Sequence, residues 1–145
     1  MEGMADHVAR AEVDIDASPQ QVWGALTDPE QVTRWMVGTH VSTDWQVGSP
    51  ITWQGEMDGR AYEDKGEILV ADEPSRLSMT HYSPLMGQAD EPENYHTVTY
   101  DLSPEGQATT VVLTQDGNES EEQAEQFSAN WQGMLDALKS TVEGG

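Results

Sequence analysis

Apolar and polar residues alternate along most of the chain, which is the pattern expected of β-strands that bury one face. In the segment "VARAEVDID", Val13 and Ile15 alternate with two aspartates. Six later segments follow the same rule, and the Asp58-Gly59 dipeptide between two of them is a strong hairpin signal. They predict a run of six antiparallel strands with one polar face. The six segments are "HVSTDWQV", "ITWQGEM", "RAYEDKGEILV", "RLSMTHY", "NYHTVTYDL" and "TTVVLTQ".

Two short helices are predicted between the first strand and this run. In "SPQQVWGALT", Ser18 is a candidate N-cap, proline follows it, and Gln21 completes a capping box. In "DPEQVTRWM", Asp28 and Gln31 repeat that signal ten residues later. Two start signals so close together indicate a pair of helices separated by a kink.

A long helix is predicted at the C-terminal end of the chain. Ser120 begins another capping box, "SEEQ", with acidic residues in the first turn, where the helix dipole favours them. Apolar residues then recur at three- and four-residue spacing and form one stripe. Because the sheet and this helix each have a single apolar face, they must bury those faces against one another, which predicts an α+β fold. The stripe consists of Phe127, Trp131, Met134, Leu135, Leu138 and Val142.

The charge of the chain narrows the classes of partner. It contains 27 acidic and 6 basic residues, for a formal net charge of −21. Such a surface repels phosphate backbones and anionic lipid head groups, so neither nucleic-acid binding nor binding to a membrane surface is expected. Membrane insertion is not expected either, because no apolar run is long enough. The charge also destabilises the folded state through self-repulsion unless salt screens it. We therefore expect a halophilic or salt-accumulating source.

The absence of cysteine excludes a disulfide framework, a thiol nucleophile and a thiolate metal site. The first residues, "MEGMADHVARAEVDID", contain neither a basic leader nor an apolar signal core, and no apolar run approaches the length of a membrane span. A cytoplasmic protein is the expectation. One domain over residues 1–145 is expected, with a disordered segment at 1–7 and a tail at 143–145.

At this point several motifs resemble a known family. The segments "ASPQQVWGALTDPEQVTRWM", "GSPITWQGEMDG", "KGEILVADEPSRLSMTHYSP" and "NWQGMLDALK" are similar to those of the START-like (SRPBCC) superfamily. Within this superfamily, the chain resembles the bacterial branch named after the activator of heat-shock-protein-90 ATPase homologue. The resemblance implies a helix-grip fold, in which a curved antiparallel sheet wraps around the C-terminal helix and leaves a cavity. Its members include lipid and hormone binders, polyketide cyclases and a eukaryotic co-chaperone that has a further domain.

Symmetric pairing about each hairpin turn predicts which side chains meet across the strands. In this register Trp53 faces Asp64 and Trp45, while His81 faces Gly66 and His96. The alternation puts these side chains on the apolar, inner face of the sheet. They should form a row, because cross-strand neighbours lie about 5 Å apart.

This row, consisting of Trp45, Trp53, Asp64, His81 and His96, allows three interpretations. In the first interpretation the tryptophans are ordinary packing residues, and Asp64 and the histidines lie at the solvent-exposed opening near the ends of the sheet. Alternatively, a bulge beside Gly66 turns Asp64 outward. The row can instead be the wall of a small-molecule pocket. The third interpretation is catalysis, with a histidine as general base and Asp64 fixing its tautomer. No metal is expected, because antiparallel strands spread ligands along a line.

The leading hypothesis is non-enzymatic binding of a small hydrophobic or aromatic molecule, such as a lipid, between the sheet and the last helix, without a cofactor. The alternatives are an enzyme on the same scaffold, such as a cyclase, isomerase or hydrolase, that uses Asp64, His81 and His96, and a chaperone-cofactor-like interaction protein. The loop 83–93 is either a lid or disordered. The candidate ligand-binding residues are Trp35, Trp45, Trp53, Met57, Tyr62, His81, His96, Phe127, Trp131 and Met134.

Overall fold

A computed structural model of the protein describes residues 7–36, 38–57, 59–83, 89–118 and 120–144, except the side chains of Met57 and Pro92. The predicted order of one strand, two short helices, six strands and one long helix is confirmed. A short 3-10 turn, Pro92–Asn94, precedes the sixth strand. The elements are β1 (His7–Ile15), α1 (Pro19–Thr27), α2 (Pro29–Trp35), β2 (His40–Ser42), β3 (Pro50–Met57), β4 (Arg60–Asp72), β5 (Arg76–His81), β6 (His96–Glu105), β7 (Ala108–Asn118) and α3 (Glu121–Gly144).

The seven strands form one antiparallel sheet in the order β1-β7-β6-β5-β4-β3-β2. Apart from β1, which pairs with β7, each strand lies beside its neighbour in sequence, so the sheet is a meander closed at one edge by the first strand. The long helix α3 packs against β1 and contacts β7, with α1 and α2 beside it. The predicted α+β, helix-grip architecture is therefore confirmed. None of the helices in the described ranges is long and apolar enough to span a membrane.

The helix start signals work largely as predicted. The Ser18 side chain accepts a hydrogen bond from the Gln21 amide, and the Gln21 side chain accepts one from the Ser18 amide, which completes the capping box. At α2 the Asp28 carboxylate caps the amide of Glu30, and the Gln31 side chain donates to this carboxylate instead of accepting from the Asp28 amide. Caps of this kind contribute about 1 kcal/mol each, because they satisfy amides that have no partner within the helix.

The position of α3 is fixed along the free edge of β1. Backbone groups on every second residue of this edge, which have no neighbouring strand, are hydrogen-bonded by polar side chains of α3. These side chains form the hydrogen bonds that a neighbouring strand would otherwise form, and they protect the edge from pairing with another chain. The pairs are Arg10 N with Ser128 Oγ (2.9 Å), Glu12 N and O with the Gln132 amide (3.3 and 3.0 Å), Asp14 O with Lys139 Nζ (2.6 Å) and Asp16 N with Glu143 Oε2 (2.7 Å).

The apolar stripe of α3 divides into two parts with different surroundings. Leu135 and Leu138 are completely buried in the core between the helix and the sheet. Phe127, Trp131 and Met134 lie one helix face away, are only partly buried, and border a cavity. The helix therefore anchors itself with one half of its stripe and presents the other half to open space.

The register of the sheet matches most of the predicted pairs. Trp53 pairs with Asp64, and His81 pairs with His96. Ile68 pairs with Met79 and a bridge joins Lys65 to Tyr82, a register that places His81 opposite Gly66.

Two details of the predicted sheet are wrong. Strand β2 ends at Ser42 instead of continuing to 47, and its Val41 pairs with Trp53, so Trp45 has no place opposite Trp53. The Asp44 side chain accepts from the Gln46 amide at 3.0 Å and turns the chain, and Trp45 has a left-handed backbone with φ of 59°. The irregularity in β4 lies between Ile68 and Val70, so no bulge turns Asp64 outward.

The predictions for the ends of the chain and for its turns fall partly outside the described residues. In the expected N-terminal segment 1–7, only His7 is described, and it begins β1. In the expected tail 143–145, Glu143 and Gly144 belong to α3. The turn residue Asp58 and the positions 84–88 of the long loop are likewise outside those ranges. The two-residue hairpin between β3 and β4 is nevertheless confirmed by the pairing of Met57 with Arg60.

Candidate functional site

A cavity of about 460 Å³ lies between the inner face of the sheet and α3. Its floor consists of residues from β3 to β7, and its roof is the C-terminal helix. Most of the side chains around it are apolar or aromatic. The lining residues are Met36, Thr39, Trp53, Tyr62, Asp64, Met79, His81, Ser83, Asn94, His96, Val98, Tyr100, Gln115, Phe127, Asn130, Trp131 and Met134.

Aromatic rings at the wall of the cavity are held by specific contacts. The ring of Trp53 meets the imidazole of His81 edge to face, with centroids 5.0 Å apart. Phe127 packs at a tilt against His96 with centroids 6.1 Å apart. The indole Nε1 of Trp131 donates to the side-chain oxygen of the buried Gln115. Fixed rings of this kind offer a preformed stacking surface to an apolar ligand.

Asp64 and His81 form a hydrogen-bonded pair inside the site. Asp64 Oδ2 lies 3.0 Å from His81 Nε2, and both side chains are largely buried, with 15% and 28% of their surface exposed. The second carboxylate oxygen, Oδ1, is buried and has no hydrogen-bond partner among the described residues. Burying a carboxylate oxygen without a partner is costly, so a hydrogen-bond donor that reached Oδ1 would stabilise the site.

His96 is held by its backbone surroundings. Its Nδ1 lies 2.8 Å from the carbonyl oxygen of Asp116. A β-carbon at Gly117 would lie 3.0 Å from that nitrogen, so a larger residue would have to displace the imidazole by a few tenths of an ångström. Gly117 also has a φ of 74°, which glycine adopts without strain. Phe127 covers the ring from the helix side, and His96 is therefore an oriented, buried group.

Tyr62 is positioned over the opposite strand by a second glycine. Gly55 pairs with Tyr62, and a β-carbon at Gly55 would lie 2.6 Å from the tyrosine hydroxyl. The same hydroxyl is 2.8 Å from Thr39 Oγ1, in a hydrogen bond that joins β4 to the residue before β2. The side chain of Tyr62 thus lies flat along the cavity wall. Burial raises the pKa of Tyr100, another residue of the wall, so its phenol remains neutral.

A cluster of polar contacts holds the segment 89–95 beside the cavity. The ammonium of Lys65 pairs with the carboxylate of Asp90, which also accepts from the hydroxyl of Tyr95 at 2.5 Å. These hydrogen bonds lower the pKa of Asp90. The rings of Tyr82 and Tyr95 stack with centroids 5.1 Å apart. The cluster keeps Asn94, which lines the cavity, next to the strand that carries Asp64.

Most of the candidate residues from the sequence are brought together at this cavity. The candidates that line it from the sheet are Trp53, Tyr62, Asp64, His81 and His96. Those that line it from the helix are Phe127, Trp131 and Met134. Their role in binding stays a prediction.

Three other candidates are not placed at the cavity. Trp35 is buried in the core, where its indole donates to the carbonyl of Ala25 at 2.9 Å, and Trp45 lies outside the sheet register. Both border a separate gap of about 20 Å³ between α2 and the sheet. The side chain of Met57 lies outside the described part of the structure.

Several lining residues were missed by the sequence interpretation. Met79, Val98 and Tyr100 lie on the inner face of β5 and β6 and could have been found from the alternation alone. Gln115 is a polar residue on the buried face of β7, and such a break in an apolar pattern is a usable signal. Asn130 lies between Phe127 and Met134 in helical spacing. Among the described residues, no cluster of three histidine or acidic side chains could hold a metal ion.

Comparisons with known proteins agree with this architecture. The family described as Activator of Hsp90 ATPase homolog 1-like protein matches residues 16–143. The solution structure of ChR145 from Cytophaga hutchinsonii is similar over 97% of both chains, with 44% sequence identity and a TM-score of 0.85. None of the curated proteins matches the chain.

Two more distant structures share the fold. CalU16 from Micromonospora echinospora is 23% identical over 95% of this chain and 85% of its own, with a TM-score of 0.70. DynU16, a protein of the dynemicin biosynthetic locus, is 24% identical over 96% of this chain and 48% of its own, with a TM-score of 0.75.

Proposed function

The chain belongs to the family of Activator of Hsp90 ATPase homolog 1-like proteins, and we propose that it binds a small hydrophobic or aromatic molecule in the cavity under α3. The observation that carries this proposal is the unfilled volume of about 460 Å³ with aromatic walls and a few converging polar groups. Small-molecule sites are commonly concave, mostly apolar and about 300–1,000 Å³ in volume.

The energetics of the cavity support an apolar occupant. Each 100 Å² of apolar ligand surface removed from water contributes about 2.5 kcal/mol before the costs of association are subtracted. Stacking against Trp53 and Trp131 adds to this value, because both rings are already held in place. Partly buried methionine at position 134 can adjust its shape to the ligand. The locus of DynU16 is biosynthetic, which supports a small molecule rather than a macromolecule as the occupant.

A larger side chain that fills the cavity should weaken ligand binding strongly. We expect Met134→Trp to weaken the affinity for apolar aromatic ligands at least tenfold, because the indole occupies the volume that the ligand needs. Isothermal titration calorimetry with a panel of fatty acids and polycyclic aromatics measures the affinities. The matched control is Ala129→Trp on the exposed side of the same helix, which should bind like the parent. Equal affinities for both variants would contradict the proposal. So would a parent protein that binds none of the ligands in the panel.

A second candidate function is catalysis by proton transfer, and the 3.0 Å pair of Asp64 with His81 favours it. In this arrangement Asp64 accepts from Nε2–H and leaves Nδ1 of the imidazole as the base. A suitable reaction is the removal of a proton from a carbon next to the carbonyl of a bound ketone.

Hydrogen exchange tests this candidate without knowledge of the natural substrate. Apolar ketones are incubated with the protein in D₂O, and deuterium uptake at the α-carbon is followed by mass spectrometry. We expect Asp64→Asn to slow the exchange about 100-fold or more. Glu63→Gln, a neighbour on the exposed face of β4, should have no effect. Uptake by the parent protein that does not exceed uptake in buffer eliminates this candidate.

A further inference from the structure

Three polar residues of the cavity lie on adjacent strands of the sheet. His81 and His96 are directly opposite each other on β5 and β6, and Asp64 reaches His81 from β4. The remainder of the sheet face around them is apolar, with Met79 and Val98 as the next pair along the same two strands. A ligand in the cavity therefore meets a largely apolar sheet face with a polar corner formed by Asp64, His81 and His96. Other polar side chains lie elsewhere around the cavity, namely Thr39, Ser83, Asn94, Gln115 and Asn130.

The hydrogen-bonding state of His96 follows from its partner. A backbone carbonyl oxygen can only accept, so the Nδ1 that lies 2.8 Å from the Asp116 oxygen carries the hydrogen. In the neutral ring the other nitrogen, Nε2, then has a free lone pair and can only accept. The carbonyl oxygen of Asp116 sets this tautomer, and Gly117 leaves space for the imidazole beside it.

The other two groups of the polar corner are also acceptors. Because the Asp64 carboxylate accepts from His81 Nε2–H, the remaining Nδ1 of a neutral His81 has a free lone pair. Asp64 Oδ1 is an acceptor with no partner among the described residues. The free lone pairs of the two imidazoles and Asp64 Oδ1, which has almost no exposed surface, are all acceptors. A ligand group that itself only accepts would leave them unpaired.

The described lining of the cavity has no permanently positive side chain to balance a negative charge. None of the described residues that line it is a lysine or an arginine. A bound carboxylate would approach the Asp64 carboxylate and would lose its hydration without a counter-ion, which is strongly unfavourable. The electrostatics of the cavity therefore disfavour a fatty acid anion, although its apolar walls suit an acyl chain.

We propose that the ligand is an uncharged apolar molecule whose hydroxyl or phenol group donates a hydrogen bond to the polar corner formed by Asp64, His81 and His96. This inference rests on the proposed binding function and narrows it to one chemical class. The apolar body of the ligand lies against Trp53 and the α3 side chains, and its donor group meets the acceptors at the end of the histidine pair.

A ligand series on one ring system tests the proposal. Naphthalene has no polar group, 2-methoxynaphthalene only accepts, 2-naphthol donates, and 2-naphthoate is an anion. Isothermal titration at neutral pH should give the highest affinity for 2-naphthol, about tenfold or more above the methoxy compound. Naphthoate should bind more weakly than naphthalene. Equal affinities for naphthalene, the ether and the naphthol, or tighter binding of the naphthoate, would overturn the donor inference and leave the binding function standing. If none of the four binds, both are overturned.

A substitution at the polar corner gives an independent test. His96→Phe should remove most of the preference for 2-naphthol over 2-methoxynaphthalene and retain the affinity for naphthalene, because the apolar walls are unchanged. The matched control is His40→Phe, an exposed histidine on β2 that does not line the cavity. If His96→Phe does not fold, ¹⁵N NMR of the parent histidines takes its place. Addition of 2-naphthol should then shift Nε2 of His96 and leave its Nδ1 protonated; an Nε2 signal that does not move overturns the proposal.

Discussion

Replacing Gly66 with alanine should lower the free energy of unfolding by more than about 4 kcal/mol, at the extreme of what single substitutions do. A β-carbon at this position would lie 1.8 Å from the backbone oxygen of Thr80 and 2.6 Å from its carbonyl carbon. The clash involves the main chain of β5, which cannot rotate away as a side chain could. Strands β4 and β5 would have to separate where the Lys65–Tyr82 bridge joins them.

A second glycine substitution is the control for this measurement. Gly133 lies within α3, and a β-carbon there would meet nothing within 4 Å. Gly133→Ala should therefore raise the stability by about 0.5–1 kcal/mol, since alanine loses less conformational freedom than glycine in a helix. Urea denaturation followed by circular dichroism compares both variants with the parent. A Gly66→Ala protein with the midpoint of the parent would show that the two strands do not approach this closely.

The close approach at Gly66 also explains why the polar corner exists. Asp64 lies two residues before this glycine on β4, and His81 follows Thr80 directly on β5. Because the two backbones come together at Gly66, the carboxylate and the imidazole reach hydrogen-bond distance of 3.0 Å. The backbone of β4 thus supplies the geometry of the site, and a wider spacing would separate the acceptors from one another.

The alternation of apolar and polar residues predicted the sheet and the faces of its strands. Each inward side chain on β6, from His96 to Leu102, is buried, and each outward one is more exposed. Period-two patterns are reliable here because a shift by one residue would put all these side chains on the wrong side. The row of Trp53, Asp64, His81 and His96 could be predicted for the same reason.

The remaining features depend on groups that a periodic pattern does not describe. Trp45 does not belong to the row, because the Asp44 side chain stabilises a turn in which Trp45 has a left-handed backbone. This turn interrupts a segment whose sequence still alternates. The tautomer of His96 is set by the carbonyl oxygen of Asp116, which has no signature in the side-chain sequence. The cavity itself is space that the side chains of the sheet and of α3 leave unfilled. Periodicity specifies which residues face inward but not whether they fill this space.

The two halves of the α3 stripe should differ sharply when truncated. Leu135→Ala should lower the free energy of unfolding by about 3 kcal/mol, because a completely buried side chain is lost and its packed surroundings can relax only partly. Met134→Ala should cost half of this value or less, since that side chain is partly buried and already borders an open volume. Urea denaturation of the two single variants measures both values.

Ligand affinity should follow the opposite order in these two variants. Met134→Ala removes a wall of the cavity and should weaken the binding of 2-naphthol severalfold, because apolar contact with the ligand is lost. Leu135→Ala, titrated at a temperature where it remains folded, should bind 2-naphthol almost like the parent, because residue 135 does not line the cavity. This reversal would show that one face of α3 holds the fold together while the adjacent face holds the ligand. If both variants lose stability and affinity in the same proportion, the helix has no such division, and the cavity is only a loosely packed part of the core.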